Sequence, residues 1–242
     1  MRGARAALVF LTRLPGGALT PEDFSRAPGW FAVIGLGLGA LLAGAWWLAA
    51  LLWPPVLVAL LVVALGLMLT GALHEDGLAD TFDGLGAPRS RERALDIMRD
   101  SRIGSFGALA LGLALALRVA ALTALGPLAP AALIAGQGLS RAAMTLTLRA
   151  GPYLRAAGAG SGMTGRLGAG RWPLVAAMLA GGGLAVWTCG GAALSGLAGL
   201  ALAALAMRHW AVRRLGGITG DILGAGQVLA DLGFLLGVLA WR

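Results

Sequence analysis

Residues 30–73 read WFAVIGLGLGALLAGAWWLAALLWPPVLVALLVVALGLMLTGAL and carry no charged side chain. One bilayer-spanning helix needs roughly 20 apolar residues, so this run is long enough for two. Pro54 and Pro55 divide it, because an interior proline removes a helical N–H and clashes with the preceding turn. The run therefore predicts spans over residues 30–53 and 56–73. Trp30 and Trp53 suit the two interfaces, and the uncharged connection between the spans is expected to face away from the cytoplasm.

The rest of the chain has the same character. Hydrophobic residues make up 58% and charged residues only 12%, about half the charged fraction of soluble domains. Further spans are predicted over residues 107–125, 130–148, 173–187, 192–207 and 222–241. The expected fold is an all-α polytopic membrane bundle of about seven transmembrane helices, forming one membrane-embedded domain over residues 1–242. The run at 6–11 is too short for a signal-peptide core and is expected to lie as an amphipathic segment at the cytoplasmic interface.

The net charge of +8 does not indicate nucleic acid. All 19 basic residues are Arg, and most of them fall in short connections between apolar runs, as the positive-inside rule expects. Cys189 is the single cysteine, which excludes an intramolecular disulfide or a thiolate metal site. Glycine pairs such as Gly35 and Gly39 fit close helix packing, but 40 glycines make such spacings common by chance.

Chemistry concentrates at residues 74–106, which hold seven of the eleven acidic residues together with Arg89, Arg91, Arg93, Arg99 and Arg102. This is expected to be the largest cytoplasmic segment. Asp76, Asp80 and Asp83 are spaced i, i+4, i+7, hence on one face of a helix. Three like charges on one face at a membrane edge call for a cation. An oxygen-only set, with Glu75 beside it, points to a hard ion, Mg2+ or Mn2+. Asp96 and Asp100 interleave with Arg99 and Arg102, and acids for a metal beside guanidinium groups for phosphate oxygens suit a diphosphate substrate. Pairing within the helix is the competing reading, weighed more heavily for Arg91 and Arg93 than for Arg99 and Arg102. Ser105 and the Gly104–Gly107 stretch would open the next helix with free N–H groups that favour an anion.

Arg118 and Ser140-Arg141 lie inside predicted spans, where a guanidinium normally faces a cavity or a partner. Both arginines are expected to point to the polar site, with pairing of Arg118 to a structural acid as the alternative. Thr219 and its flanking glycines could form an anion-binding nest, and Asp221 could contact substrate or cap the last helix. His74 and His209 are expected to be structural.

Four passages resemble the cobalamin synthase (adenosylcobinamide-GDP ribazoletransferase) family: FLTRLP at 10–15, GALHEDGLADTFDG at 71–84, RALDIMRDSRIGSFG at 93–107 and GGITGDILGA at 216–225. They occur in the family's order, and the middle two together are specific. The resemblance implies an integral membrane enzyme that needs Mg2+ and joins an activated corrinoid nucleotide to alpha-ribazole or its 5′-phosphate, releasing GMP. It carries family features onto Asp76, Asp80 and Asp83, onto Arg99, Asp100, Ser101 and Arg102, and onto Thr219, Gly220 and Asp221. The family often has an acid where Val228 stands and an acidic, Gly-containing stretch where Ala156-Ala157-Gly158 lies; Asp231 keeps a carboxylate one turn after Val228.

The expected chemistry is attack of the ribazole 3′-hydroxyl on the cobinamide-linked phosphorus. Glu75, Asp76, Asp80 and Asp83 would stand around the metal, Arg99 and Arg102 would clamp phosphate, and Asp83 or Asp100 would accept the proton. Two other readings compete: a CDP-alcohol phosphotransferase of phospholipid synthesis, disfavoured because Asp80 follows Ala79 where that signature has Arg, and a divalent-cation transporter, disfavoured because the acids sit beside arginines at one edge rather than at the midplane. The inner membrane, with the site on its cytoplasmic side, is the expected location. The sequence leaves the oligomeric state open, a homo-oligomer included.

Overall fold

The computed structural model describes residues 2–87, 90–154, 161–164, 167 and 170–241. Arg89 and Ala156-Ala157-Gly158 lie outside the described residues. Eleven α-helices follow one another among those described: α1 Arg2–Leu11, α2 Pro21–Ser25, α3 Phe31–Ala50, α4 Pro55–Thr70, α5 Leu73–Leu85, α6 Arg91–Ile97, α7 Ser105–Leu125, α8 Ala129–Arg149, α9 Arg171–Cys189, α10 Ala192–Leu215 and α11 Gly220–Ala240. The protein is an all-α membrane bundle.

By length and apolar content five stretches can cross a bilayer, or six with the bent pair α4–α5, against the seven expected. The difference lies in Ser105–Arg149, which that criterion takes whole. This stretch turns back at Gly126, whose φ of +56° ends α7. The reversal is evident from its two arms: Arg118 of α7 and Gln137 of α8 both reach the same carboxylate, Asp231. Two points 19 residues apart on one straight helix would be separated by about 28 Å.

The α4–α5 break positions the site. Gly71 and Ala72 both adopt the left-handed region, with φ of +65° and +55°, and turn the chain by 88°. Ala72 carries a Cβ there at a cost of about 1 kcal/mol. The turn directs α5 back into the bundle. The first part of the acidic segment is thus a helix set into the bundle: α5 packs against α11 and α7 and buries His74, Glu75 and Asp83.

Small residues set the closest helix crossings, a role the spacing alone could not establish. A Cβ on Gly39 of α3 would lie 2.6 Å from the Ile134 Cα of α8, and a Cβ on Gly35 would strike the Gln137 carbonyl. Gly199 of α10 and Gly233 of α11 meet backbone to backbone in the same way. Gly39→Val should force α3 from α8 and destabilise the protein by about 1–3 kcal/mol, read as a lower melting temperature in detergent.

The amphipathic α1 buries Gly3, Ala6, Ala7 and Leu11, and Phe10 stacks on Phe31 of α3 with ring centroids 5.4 Å apart. At the arginine-rich end, Arg214 donates to the Ala87 carbonyl at 3.1 Å, Arg149 to Thr164 at 3.1 Å, and Arg208 to Ala150. The connections after α5, α8 and α10 therefore meet at one end of the bundle.

Candidate functional site

The i, i+4, i+7 face on α5 forms as its spacing predicts, but its three aspartates divide. Asp76 is exposed and Asp80 half-buried. Both line a cavity of about 210 Å³ with Glu75, Ser101 and Ile103. Asp83 lies one turn further along and is buried. It accepts hydrogen bonds from the backbone N–H groups of Gly104 (2.6 Å) and Gly107 (2.9 Å). These are the orphan donors at the start of α7, and a carboxylate there also complements the helix dipole. The terminus expected to receive an anion from substrate is held by the protein's own Asp83. Glycine is required at both positions because a Cβ at either would collide with that carboxylate.

Asp83 lines a second, more open cavity of about 400 Å³ with Asp100, Arg102 and Ser105. Ile103 borders both cavities. Arg102 forks onto Asp100, donating through Nη2 at 2.6 Å and through Nε at 3.0 Å. Arg99 stands 3.8 Å from Asp96. Each of these arginines is thus paired with a nearby aspartate, Arg102 between helices and Arg99 just past the end of α6. All four side chains remain substantially exposed, and exposed pairs of this kind are weak enough to exchange partners.

The hydrogen bonds from Arg102 pull the Asp100 carboxyl down to about 2. Its folded value is depressed, so the pair is intact above the ordinary aspartate range and is lost as pH falls through about 2. While that pair holds, Asp100 is a poor proton acceptor near neutrality. Asp100→Asn should leave the acid limb of the pH–rate profile where it is in the parent; a displaced limb would show that Asp100 becomes the base once Arg102 turns to phosphate.

Arg118 and Arg141 do not reach these clefts. Arg118 lies 3.0 Å from Asp231 and 3.8 Å from Glu75. Asp231 also accepts from Gln137 at 3.3 Å, and Arg141 donates to the Gln137 side-chain oxygen at 2.7 Å. Gln227 donates to Ser140 at 2.9 Å. Two acids and two guanidinium groups from α5, α7, α8 and α11 thereby neutralise each other within the bundle. The pairing of Arg118 with a structural acid, the alternative at the sequence level, is the arrangement found. Glu75 belongs chiefly to this cluster, while also bordering the Asp76–Asp80 cleft. Val228 is buried and apolar, and the carboxylate one turn later, on Asp231, serves the cluster.

The GGITGD passage forms a corner. Gly216, with φ of +77°, ends α10; Ile218 pairs with Tyr153 as an isolated bridge; and Thr219 caps α11 by accepting from Ile222 N–H at 3.4 Å. Capping falls to Thr219 rather than Asp221. Thr219 also donates to the Asp221 carboxylate at 3.3 Å. Asp221 faces a third cavity, of about 160 Å³, which it shares with His74 and Asp76. Its approach to α5 is close: a Cβ on Gly77 would lie 2.8 Å from the Asp221 carbonyl oxygen. Sequence reasoning did not find this third cavity, because its walls come from five helices together with Tyr153 and Met163 of the connection after α8.

Among the described residues no three histidine, cysteine or acidic side chains are gathered tightly enough to form a metal cage. The expected convergence of Asp76, Asp80 and Asp83 is therefore not preformed. This donor set still fits Mg2+. That ion is usually held by one or two carboxylates and completes its shell with substrate phosphates and water. Asp76 and Asp80, accessible on one cleft wall, meet that requirement.

The sequence profile of the cobalamin-5-phosphate synthase family matches residues 3–239. The chain belongs to that family. Three similar relatives carry the name adenosylcobinamide-GDP ribazoletransferase. That of Azorhizobium caulinodans is 46% identical, covering 98% of this chain and 94% of its own. That of Leptothrix cholodnii is 42% identical, covering 97% and 93%. That of Desulfitobacterium hafniense is 38% identical, covering 98% and 96%. No solved structure matches. For this cobalamin-5-phosphate synthase family member, the four passages singled out in sequence fall on the cavity walls just described or on the helix ends that support them, and FLTRLP, whose Phe10 lines the third cavity, also braces the α4–α5 turn. There the Arg13 N–H donates to the Leu69 carbonyl at 2.8 Å, beside Gly71.

Proposed function

We propose that this protein is an adenosylcobinamide-GDP ribazoletransferase, joining the corrinoid nucleotide to alpha-ribazole or its 5′-phosphate with release of GMP. The observation that carries the reading is the adjacency of three cavities on α5. Asp76 is common to the third cavity and the Asp80–Ser101 cleft, and Ile103 is common to that cleft and the arginine-bearing one. An acceptor, a diphosphate and its leaving nucleotide need such a continuous path.

In this account the diphosphate lies along the cleft between Asp76, Asp80 and Ser101. Asp76 and Asp80 would hold Mg2+, which when bound neutralises charge developing on the phosphate oxygens. Arg102, which lines the second cavity in an exposed pair, releases Asp100 and forks onto phosphate, and Arg99, also in an exposed pair nearby in sequence, adds its charge. Asp83 fixes the start of α7 and so the position of the Gly104–Phe106 wall. The 3′-hydroxyl approaches from the Asp76 side and GMP leaves toward the arginines. The inner membrane is the assigned location, with the site on the cytoplasmic face, because the arginine-rich connections meet at the end of the bundle where these cavities open.

Neither alternative reading draws support from the relatives, which span almost the whole chain. Incubation of the purified protein with either adenosylcobinamide-GDP plus alpha-ribazole or CDP-diacylglycerol plus an alcohol separates them. GMP is expected from the first mixture; CMP from the second would refute the assignment.

A further inference from the structure

The third cavity is the least open of the three and has aromatic and methionine walls, Phe10, Phe31, Met144, Tyr153 and Met163, with His74, Asp76 and Asp221 among its polar groups. We propose that this cavity seats the base of the acceptor nucleoside, a flat fused-ring heteroaromatic group with few polar edges. The inference rests on the transferase reading above and adds to it which substrate occupies which cavity.

Three observations support it. First, a volume of about 160 Å³ admits a bicyclic ring but not a corrin macrocycle. Aromatic and methionine walls suit a planar guest, since sulfur and ring faces adapt to π surfaces. Second, the cavity offers a donor suited to a base with a single acceptor nitrogen. A benzimidazole-type base offers one unsubstituted ring nitrogen. His74 is 2% exposed, lines the cavity, and its Nε2 has no hydrogen-bond partner. Its N–H would serve that one nitrogen. Third, the ribose of a base so placed emerges between Asp76 and Asp221. Carboxylates are good acceptors for sugar hydroxyls, and Asp76 is also the wall of the diphosphate cleft. The attacking hydroxyl therefore arrives on the side where the phosphorus lies.

Met144 of α8 is buried on the cavity wall and makes a direct test. Met144→Phe narrows the cavity and Met144→Ala widens it. Two readouts are taken: the KM for each substrate, and equilibrium dialysis of alpha-ribazole alone against the full-length protein in detergent. The inference predicts that alpha-ribazole binds the parent without corrinoid. In Met144→Phe, KM for alpha-ribazole should rise about tenfold, or about 1.4 kcal/mol, while KM for adenosylcobinamide-GDP changes less than about twofold. Met144→Ala should accept an acceptor nucleoside carrying a larger, ring-extended base that the parent rejects. If Met144→Phe does not fold, Met144→Ala decides alone. A rise confined to the corrinoid nucleotide would place guanosine here and overturn the inference, as would unchanged constants for both substrates in a folded variant. Should the parent release no GMP at all, the transferase reading fails, while dialysis still decides whether the cavity takes the nucleoside.

Discussion

Asp76→Asn and Asp80→Asn are each expected to lower GMP release by about a hundred- to a thousandfold or more, the scale on which loss of one preorganised charge-stabilising group is felt. Both side chains are accessible and line one cleft, so the amides should cost little stability and the variants should melt and elute with the parent. Asp83→Asn should behave differently. Its two carboxylate oxygens each accept a backbone N–H, from Gly104 and Gly107. An amide has one acceptor oxygen, so one donor at the start of α7 would be left unpaired, at about 1–3 kcal/mol. Asp83→Asn is thus predicted to melt early and to lose activity through the displaced cavity wall. Near-normal turnover in both Asp76→Asn and Asp80→Asn would remove these residues from the chemistry.

The second large effect concerns stability. Asp231→Ala would leave Arg118 without its closest partner inside the bundle, and breaking a buried pair from one side costs about 3–5 kcal/mol. For a chain of this size that corresponds to a fall of about 10 °C in melting temperature. Asp231→Asn, which retains an acceptor for Gln137, should fall less. The double variant Arg118→Met with Asp231→Leu should recover much of the loss, because removing both charges also removes their desolvation cost. A single Asp231→Ala variant that melts with the parent would show that the cluster is not structural.

The membrane character of the chain was legible from the uncharged run at 30–73, and six of the seven predicted spans lie within a few residues of α3, α4, α7, α8, α9 and α11. The other, at 192–207, stops short: α10 continues to Leu215 through Arg208, Arg213 and Arg214, because helical hydrogen bonding does not end where hydropathy does. The placement of α5 was not legible. Spacing put its aspartates on a helix in a cytoplasmic segment, but two left-handed residues at Gly71 and Ala72 turn that helix into the bundle, and such a turn has no hydropathy signature. Periodicity correctly put Asp76, Asp80 and Asp83 on one face. It could not reveal that the start of α7, 21 residues after Asp83, comes to meet that carboxylate. The role of Asp231 was equally hidden, since a lone acid in an apolar helix acquires meaning only when Arg118 and Gln137 are placed beside it.

Turnover is expected to depend on Asp76 and Asp80 gripping a divalent ion against a substrate diphosphate. The most direct measurement is anomalous scattering from crystals grown with Mn2+ and adenosylcobinamide-GDP in the absence of acceptor. A manganese peak is expected within coordination distance of both carboxylates and of diphosphate oxygens in the same cleft. Manganese and diphosphate bound together elsewhere, with Asp76 and Asp80 facing only water, would contradict it.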